Sequence, residues 1–412
     1  MITVHKEQVP GIKTILADKG LDGDGALWQE RLEQVSPGDV ERALSQRPGS
    51  YSLDRLLALV SPAAEDYLED MAQLARRLTL RRFGRTIRLY APLYLSSFCV
   101  NGCLYCGFNK DNQSQRIRLS IDQAVAEAGI IAAEGFRDIL LVSSEDRAFI
   151  DVDYLTRLAG ELRDAFSSIS VEIYQMTASE YEELFVAGID GVTLYQETYD
   201  RRAYSYYHPA GPKADYDNRL ATPNSIAAAG MRQIGVGALL GLADWRSETL
   251  ALAEHAHYLV KRYWRSHISF SFPRVRPAHD VDGLQFEHLV GDRNLVQMIT
   301  ALRLCFADSG LVLSTRESAG LRDHLIGLGI TKVSAGSKTS PGGYSHETDA
   351  TEQFQIDDSR TPAQVAEMIK ATGAEPVWKD WERPTAVSPS NPKHEILNPK
   401  QCQISNDINP KQ

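Results

Sequence analysis

Cys99-Val-Asn-Gly-Cys103-Leu-Tyr-Cys106 places three thiols within eight residues, a C-x3-C-x2-C spacing. Three thiolates on one short loop can hold a [4Fe–4S] cluster by three corners, leaving the fourth iron without a protein ligand. S-adenosylmethionine can chelate that iron through its amino and carboxylate groups. An electron passed from the cluster into the sulfonium then releases a 5′-deoxyadenosyl radical, a reactivity that belongs to the cofactor. The competing chemistry is a zinc-stabilised scaffold with no catalysis. Structural zinc takes four ligands, usually in two C-x2-C or C/H pairs. No second pair accompanies this motif, and His208, His279 and His346 stand isolated in the chain. Of the other cysteines, Cys305 lies in the helical run LVQMITALRLCFADSG and reads as a core thiol, and Cys402 reads as incidental.

Such a loop needs a scaffold that presents it to an enclosed space. From residue 86 onward apolar runs alternate with amphipathic segments. The runs are TIRLYAPLYL, ILLV (139–142), VEIY (171–174), VTLYQ (192–196), IGVGALL (234–240), HISFSF (267–272), LVLS (311–314) and TKVSA (331–335). Helical segments fall between them: one from a capping box at Ser120 to a stop at Gly135, and others near 152–165, 177–187, 222–230, 245–264, 290–308 and 317–328. Short buried strands alternating with helices imply parallel βα units, and eight of them imply a (β/α)8 TIM-type barrel over residues 81–383, with one more helix at 361–373 followed by the run EPVW. Residues 1–80 carry helical patterning without strand signals and read as an N-terminal helical extension. Residues 384–412, rich in Pro, Asn, Ser and Gln, read as a disordered tail. Trp245 and Trp264, on a helix and its flank, are expected to pack.

The cysteines follow the first run directly, on the face where barrels do chemistry. Polar residues should then collect after the other runs, and they do. Ser143, Ser144 and Glu145 follow the second; Glu145 suits the ammonium of S-adenosylmethionine, the serines letting backbone approach. Gln196 and Glu197 end the fourth and are candidates for the ribose hydroxyls or the methionine moiety; Tyr105, just before the last cysteine, joins this cofactor side. Arg316, after the seventh run, suits a substrate carboxylate because its planar fork matches the anion; the competing role is a salt bridge to Glu317 or Asp323. Tyr94 precedes the cluster loop and could pack or touch substrate, and Ser337 follows the eighth run.

The composition is that of an ordinary globular chain, with 43% apolar and 24% charged residues. A net charge of −10 argues against nucleic acid or an anionic membrane as partner. No apolar stretch is long enough to span a membrane and no signal core opens the chain, so a cytoplasmic location is expected.

PLYLSSFCVNGCLYCGF, YQETYD, GPKADYDNRL, IGVGALLGLADWR, SFPRVRP, LSTRES, SKTSPGGY and PVWKDW together resemble the aromatic-amino-acid lyase branch of the radical S-adenosylmethionine enzymes, over about residues 50–382. Within that branch they are most similar to the 2-iminoacetate synthase family, the tyrosine lyases of thiamine thiazole biosynthesis. The resemblance implies a (β/α)8 barrel, a [4Fe–4S] cluster and S-adenosylmethionine as cofactors, and hydrogen abstraction from the amino group of L-tyrosine. Cα–Cβ cleavage then yields 2-iminoacetate and p-cresol. It implies that Arg316 and Ser337 bind the amino acid with Tyr94 nearby, that thiazole synthase receives the imine, and that flavodoxin or ferredoxin supplies the electron. The tyrosine lyases that mature [FeFe]-hydrogenase carry a second, C-terminal cysteine cluster; here that region has only Cys402, which disfavours their activity. Tryptophan lyases giving 3-methylindole-2-carboxylate share the barrel and remain the alternative.

Overall fold

The computed structural model describes residues 10–281, 283–345 and 350–379. The expected tail at 384–412, Cys402 and His346 lie outside the described residues. Eight strands run parallel: β1 (Thr86–Ser96), β2 (Asp138–Ser143), β3 (Ser168–Glu172), β4 (Gly191–Thr193), β5 (Gln233–Gly237), β6 (His267–Ser271), β7 (Gly310–Leu313) and β8 (Lys332–Ser334). Each pairs with the next, and β1 closes the ring by pairing with β2 along Ala91–Ser96 and with β8 along Arg88–Tyr90. The closed eight-stranded barrel is the one the apolar runs imply. A ninth strand, β9 (Glu375–Val377), the expected EPVW run, adds in parallel to the start of β1.

Several strands carry near-continuous apolar segments, such as ILLV in β2, IGVG in β5 and GLVL in β7, because both faces are covered, by packed side chains inside and by helices outside. The N-terminal helices come first: α1 (Ile12–Asp18), α2 (Ala26–Glu33), α3 (Pro37–Ser45), α4 (Leu53–Val60) and α5 (Leu68–Phe83). The barrel helices follow: α6 (Ile121–Ala133), α7 (Val152–Leu162), α8 (Ala178–Ala187), α9 (Arg201–Tyr207), α10 (Tyr216–Ala228), α11 (Trp245–Arg262), α12 (Asp292–Cys305), α13 (Ala319–Ile326) and α14 (Pro362–Ala371). The capping box at Ser120 forms: its hydroxyl accepts from Gln123 N at 3.2 Å while Gln123 Oε1 accepts from Ser120 N at 2.8 Å. Gly135 follows α6 with φ 107°, a conformation that favours glycine.

Three details depart from expectation. The helix expected at 222–230 begins at Tyr216, capped by Asp215, whose Oδ1 accepts from Asn218 N at 3.0 Å; Pro223, a residue favoured in a first turn, lies inside it. Helix α9 was hidden in a tyrosine-rich stretch without apolar periodicity and is seven residues long. Trp264 is 84% exposed and packs on nothing extensive, because it lies beyond the end of α11, whereas Trp245 is buried as expected.

The N-terminal helices share one continuous apolar core with the barrel. Arg55, buried in α4, fastens them: its guanidinium donates to the carbonyls of Ala43 (3.0 Å), Ser50 (2.6 Å) and, in α12, Leu304 (3.1 Å). Cys305 is buried beside this contact, as expected of a core thiol. Asp138, at the start of β2, accepts from Arg88 of β1 and Lys332 of β8, both at 2.8 Å, and so ties the three strands of the closing seam at their beginnings.

Candidate active site

The loop after β1 carries the cysteines, and its backbone is held from three sides. Val100 N donates to Glu145 O at 2.9 Å, Gly102 N to Ala210 O at 3.0 Å, Leu104 N to Tyr207 O at 3.0 Å and Gly107 N to Gln353 O at 3.1 Å. A Cβ on Gly107 would stand 2.8 Å from the carbonyl oxygens of both Glu352 and Gln353, so only glycine permits this approach. Cys99, Cys103 and Cys106 all line one cavity of about 830 Å³ at the C-terminal ends of the strands. Burial pushes the Cys103 thiol up to about 12 and also raises Cys106, and the neighbouring cysteine sulfurs add to both effects. Burial and the neighbouring sulfurs disfavour the thiolate forms, and a cationic centre bound among the three sulfurs would reverse that balance. Among the described residues no three Cys, His, Asp or Glu groups converge on a single-ion site; a cluster takes its thiolates on separate irons. The isolated histidines do not complete a zinc site either. His208 Nε2 meets Tyr105 Oη at 2.9 Å and its Nδ1 meets Tyr204 O at 2.8 Å, while His279 is exposed and meets Gln113 O at 3.0 Å.

Beside the cysteines, at the end of the neighbouring strand β2, Ser143, Ser144 and Glu145 line the same cavity. Ser144 Oγ donates to Ser96 O (2.9 Å) and Phe98 O (2.7 Å), locking the strand end against the cluster loop. Neither serine caps the next helix; Asp151 caps α7. The buried Glu145 carboxylate accepts from Asn101 Nδ2 at 2.7 Å and forms no ion pair among the described residues, an arrangement open to an ammonium. Asn101 is a residue missed in the sequence. It lies inside the motif and holds both Glu145 and, through Oδ1, the backbone N of Lys213 at 2.9 Å.

Glu197 and Gln196 part company. Along β4 and its extension the side chains alternate, with Tyr195 facing the cavity and Gln196 away from it. Gln196 is buried, lines neither cavity described here, and both of its amide atoms lack a partner, so the expected cofactor contact is corrected. Glu197 falls on the cavity side with Thr193 and Tyr195, and its backbone takes φ 71°, a left-handed conformation unusual outside glycine. Burial opposes its ionisation, but Lys213 Nζ at 2.6 Å and Arg219 at 3.3 Å prevail and hold its carboxyl below the usual range. The GPKADYDNRL segment supplies both cations.

A second cavity of about 590 Å³ adjoins the first; Val142, Glu172, Tyr195, Pro273 and Arg316 line both. Arg316, Ser337 and Tyr94 all line this second space. The alternative partners of Arg316 are taken: Glu317 pairs with Arg274, and Asp323 with Arg360 at 2.8 Å. Arg316 stacks on Phe354, its guanidinium carbon 3.3 Å from the ring centroid, and donates to Arg274 O at 3.3 Å. Ser337 Oγ is buried without a hydrogen-bond partner. Tyr94 Oη donates to Gln353 Oε1 at 2.8 Å.

The residue most conspicuously missed is Glu172. It is the last residue of β3 and lies within the run VEIY, and strands β3 and β7 are four apart in a ring of eight, so Glu172 projects from the side opposite Arg316. Burial drives its carboxyl up to about 7 and the Glu197 charge adds to this, against the pull of Arg316, a hydrogen bond from Tyr195 and Lys213. A charged residue within a continuous apolar run was the available signal, since burying a charge is costly unless it serves something.

Comparison with known proteins gives the family and the fold. Residues 93–253 match the radical SAM superfamily and residues 271–375 the Biotin and Thiamin Synthesis associated domain. The chain is 45% identical to 2-iminoacetate synthase of Salmonella typhimurium and 44% identical to that of Escherichia coli K12, in each case over 85% of this chain and 93% of the relative. Among solved structures, a crystal structure of HydG, a maturase of the [FeFe]-hydrogenase, superimposes with TM-score 0.81 at 30% identity, over 88% of this chain and 80% of that one. Methylornithine synthase superimposes with TM-score 0.66 at 18% identity, a likeness of fold.

Proposed function

The chain belongs to the 2-iminoacetate synthase family within the radical SAM superfamily, and from that premise we propose how its barrel mouth handles tyrosine. The reaction is a lyase reaction, L-tyrosine cleaved at Cα–Cβ to 2-iminoacetate and p-cresol. A [4Fe–4S] cluster held by Cys99, Cys103 and Cys106, with S-adenosylmethionine beside it, would supply the 5′-deoxyadenosyl radical that starts this chemistry, and the three thiols line one shared cavity.

The observation that carries the substrate reading is the opposition of Arg316 and Glu172 across one cavity, with Arg316 in no ion pair among the described residues. An amino acid is a zwitterion. Arg316 takes the carboxylate through its planar fork, and the unpartnered Ser337 hydroxyl donates to the same group. Glu172 takes the ammonium and, as an ionised carboxylate, accepts one of its protons, leaving a neutral amine and a protonated Glu172. The amine N–H then faces the cavity that holds the cysteines, whose wall Glu172 also forms. Tyr94 borders the substrate from β1. On the cofactor side, Glu145 receives the ammonium of S-adenosylmethionine, Ser143 and Ser144 let it approach, and Tyr105 and the Glu197–Lys213–Arg219 cluster bound the remainder.

Because an imine hydrolyses in water, we assign thiazole synthase as its acceptor. Flavodoxin or ferredoxin serves as reductant and the cytoplasm as location; no described helix is long and apolar enough to cross a membrane. The test is incubation of reconstituted protein, reductant and S-adenosylmethionine with tyrosine or tryptophan. p-Cresol from tyrosine is expected. Formation of 3-methylindole-2-carboxylate from tryptophan, with no p-cresol from tyrosine, would replace this reading by the tryptophan lyase.

A further inference from the structure

Gln353 lies in the segment that follows β8, far in sequence from the cysteines, yet its side chain stands between the two cavities. Its Oε1 accepts from Tyr94 Oη at 2.8 Å, and its Nε2 points at Cys106 Sγ at 3.8 Å. Its backbone is pinned independently: Gln353 N donates to Thr339 O at 3.0 Å and Gly107 N to Gln353 O at 3.1 Å. Further along, Glu127 of α6 accepts from Tyr344 N and Ser345 N, both at 2.9 Å, and Tyr344 Oη donates to Pro92 O at 2.8 Å. The amide is therefore presented by a fixed backbone. A sulfur that ligates iron has no proton, so only the N–H end of the amide can satisfy it, and the C=O end is left for the tyrosine phenol. The orientation in the structure is the one a bound cluster requires.

We propose that Gln353 is a positioning residue that links the substrate cavity to the cluster: its amide N–H, polarised by the Tyr94 phenol, stabilises the reduced cluster through the Cys106 sulfur. Reduction adds one negative charge to the cluster, and a donor aimed at a ligating sulfur favours the more negative state, so hydrogen bonds to sulfur set the reduction potential. A phenol donating to the amide oxygen strengthens the N–H donor at the other end of the same group. Tyr94 lines the substrate cavity, so this single amide joins the space where tyrosine sits to the thiolate that carries the electron. The inference rests on the cluster reading above.

The test is the midpoint potential of the reconstituted cluster, read by electron paramagnetic resonance during a redox titration. Gln353→Met keeps the volume and the backbone contacts and removes the donor; its potential is expected to shift to more negative values. Tyr94→Phe is expected to shift it the same way by a smaller amount. The double variant should match Gln353→Met alone, because Tyr94 acts through Gln353. An unshifted potential in a four-iron Gln353→Met protein, or a Tyr94→Phe shift that persists undiminished in the Gln353→Met background, overturns the proposal. If Gln353→Met takes up too little iron to titrate, the neutral Gln353→Leu decides: a negative shift supports the relay and an unchanged potential rejects it. Failure of the unaltered protein to take up iron rejects both the relay and the cluster reading, whereas normal iron with no shift rejects the relay alone.

Discussion

At the scale of single residues, the proposed recognition of the substrate divides between one cation and one carboxylate. A charged hydrogen bond of the kind Arg316 would make is worth about 1.5–3 kcal/mol. Arg316→Ala is accordingly expected to raise the KM for tyrosine by roughly 10- to 100-fold while leaving that for S-adenosylmethionine nearly unchanged. An equal rise in both would reject the clamp. Glu172 makes a pH-dependent claim whose sign follows from its role. It must be ionised to accept the ammonium proton, and burial lifts its carboxyl to about 7. It is therefore protonated and inactive at low pH, and kcat/KM for tyrosine should climb as pH rises through about 7 and then level. Glu172→Gln should lose both the rising limb and most of the activity; a variant that keeps the wild-type profile would remove Glu172 from the reaction. These two residues were unequally legible. Arg316 follows an apolar run, where polar residues announce themselves. Glu172 sits inside one, where the eye reads only strand, and Gln196 shows the converse hazard: a polar residue at a strand end that the alternation turns away from the cavity.

At the scale of elements, the segment after β8 matters as much as the cluster loop. Two of the anchors that hold it are a carboxylate in α6 and a glycine beside the last cysteine. Glu127→Ala leaves two backbone N–H groups at Tyr344 and Ser345 without acceptors and is expected to cost about 1–3 kcal/mol at that contact. Hydrogen exchange at Tyr344 and Ser345 should rise well before that of the barrel strands; unchanged exchange would show that the anchor is dispensable. Gly107→Ala places a methyl group 2.8 Å from two carbonyl oxygens, and the segment must yield. Iron bound per chain should fall in Gly107→Ala although every cysteine remains. The strands and long helices were readable from apolar runs and capping boxes because burial and unsatisfied N–H groups leave marks within a few residues. The post-β8 segment was not. Its contacts join residues more than two hundred positions apart, and nothing local in TEQFQ points to Tyr94 or Cys106.

At the scale of the molecule, eight strands, fourteen helices among the described residues and a ninth strand at the seam serve one opening. The whole-chain test is stoichiometric: anaerobically reconstituted protein should bind about four irons, and replacement of any one of Cys99, Cys103 or Cys106 by Ala should abolish S-adenosylmethionine cleavage with the fold preserved. Colourless protein holding a single zinc would return the scaffold reading. The architecture was legible because a barrel repeats one unit, so an error in any single element leaves the count intact; α9 went unseen without disturbing it. The seam has a temporal side. Strand β1 leads into the cysteine loop and waits for β8 to close it, and 247 residues separate Cys106 from Gln353. At ordinary rates of translation that interval lasts roughly 12–50 s. Throughout it the thiols exist and their clamp does not, leaving them open to oxidation and to stray metals. Assembly of the metal centre is thus a late event in the life of each chain, and iron uptake serves as a readout that the barrel has finished closing.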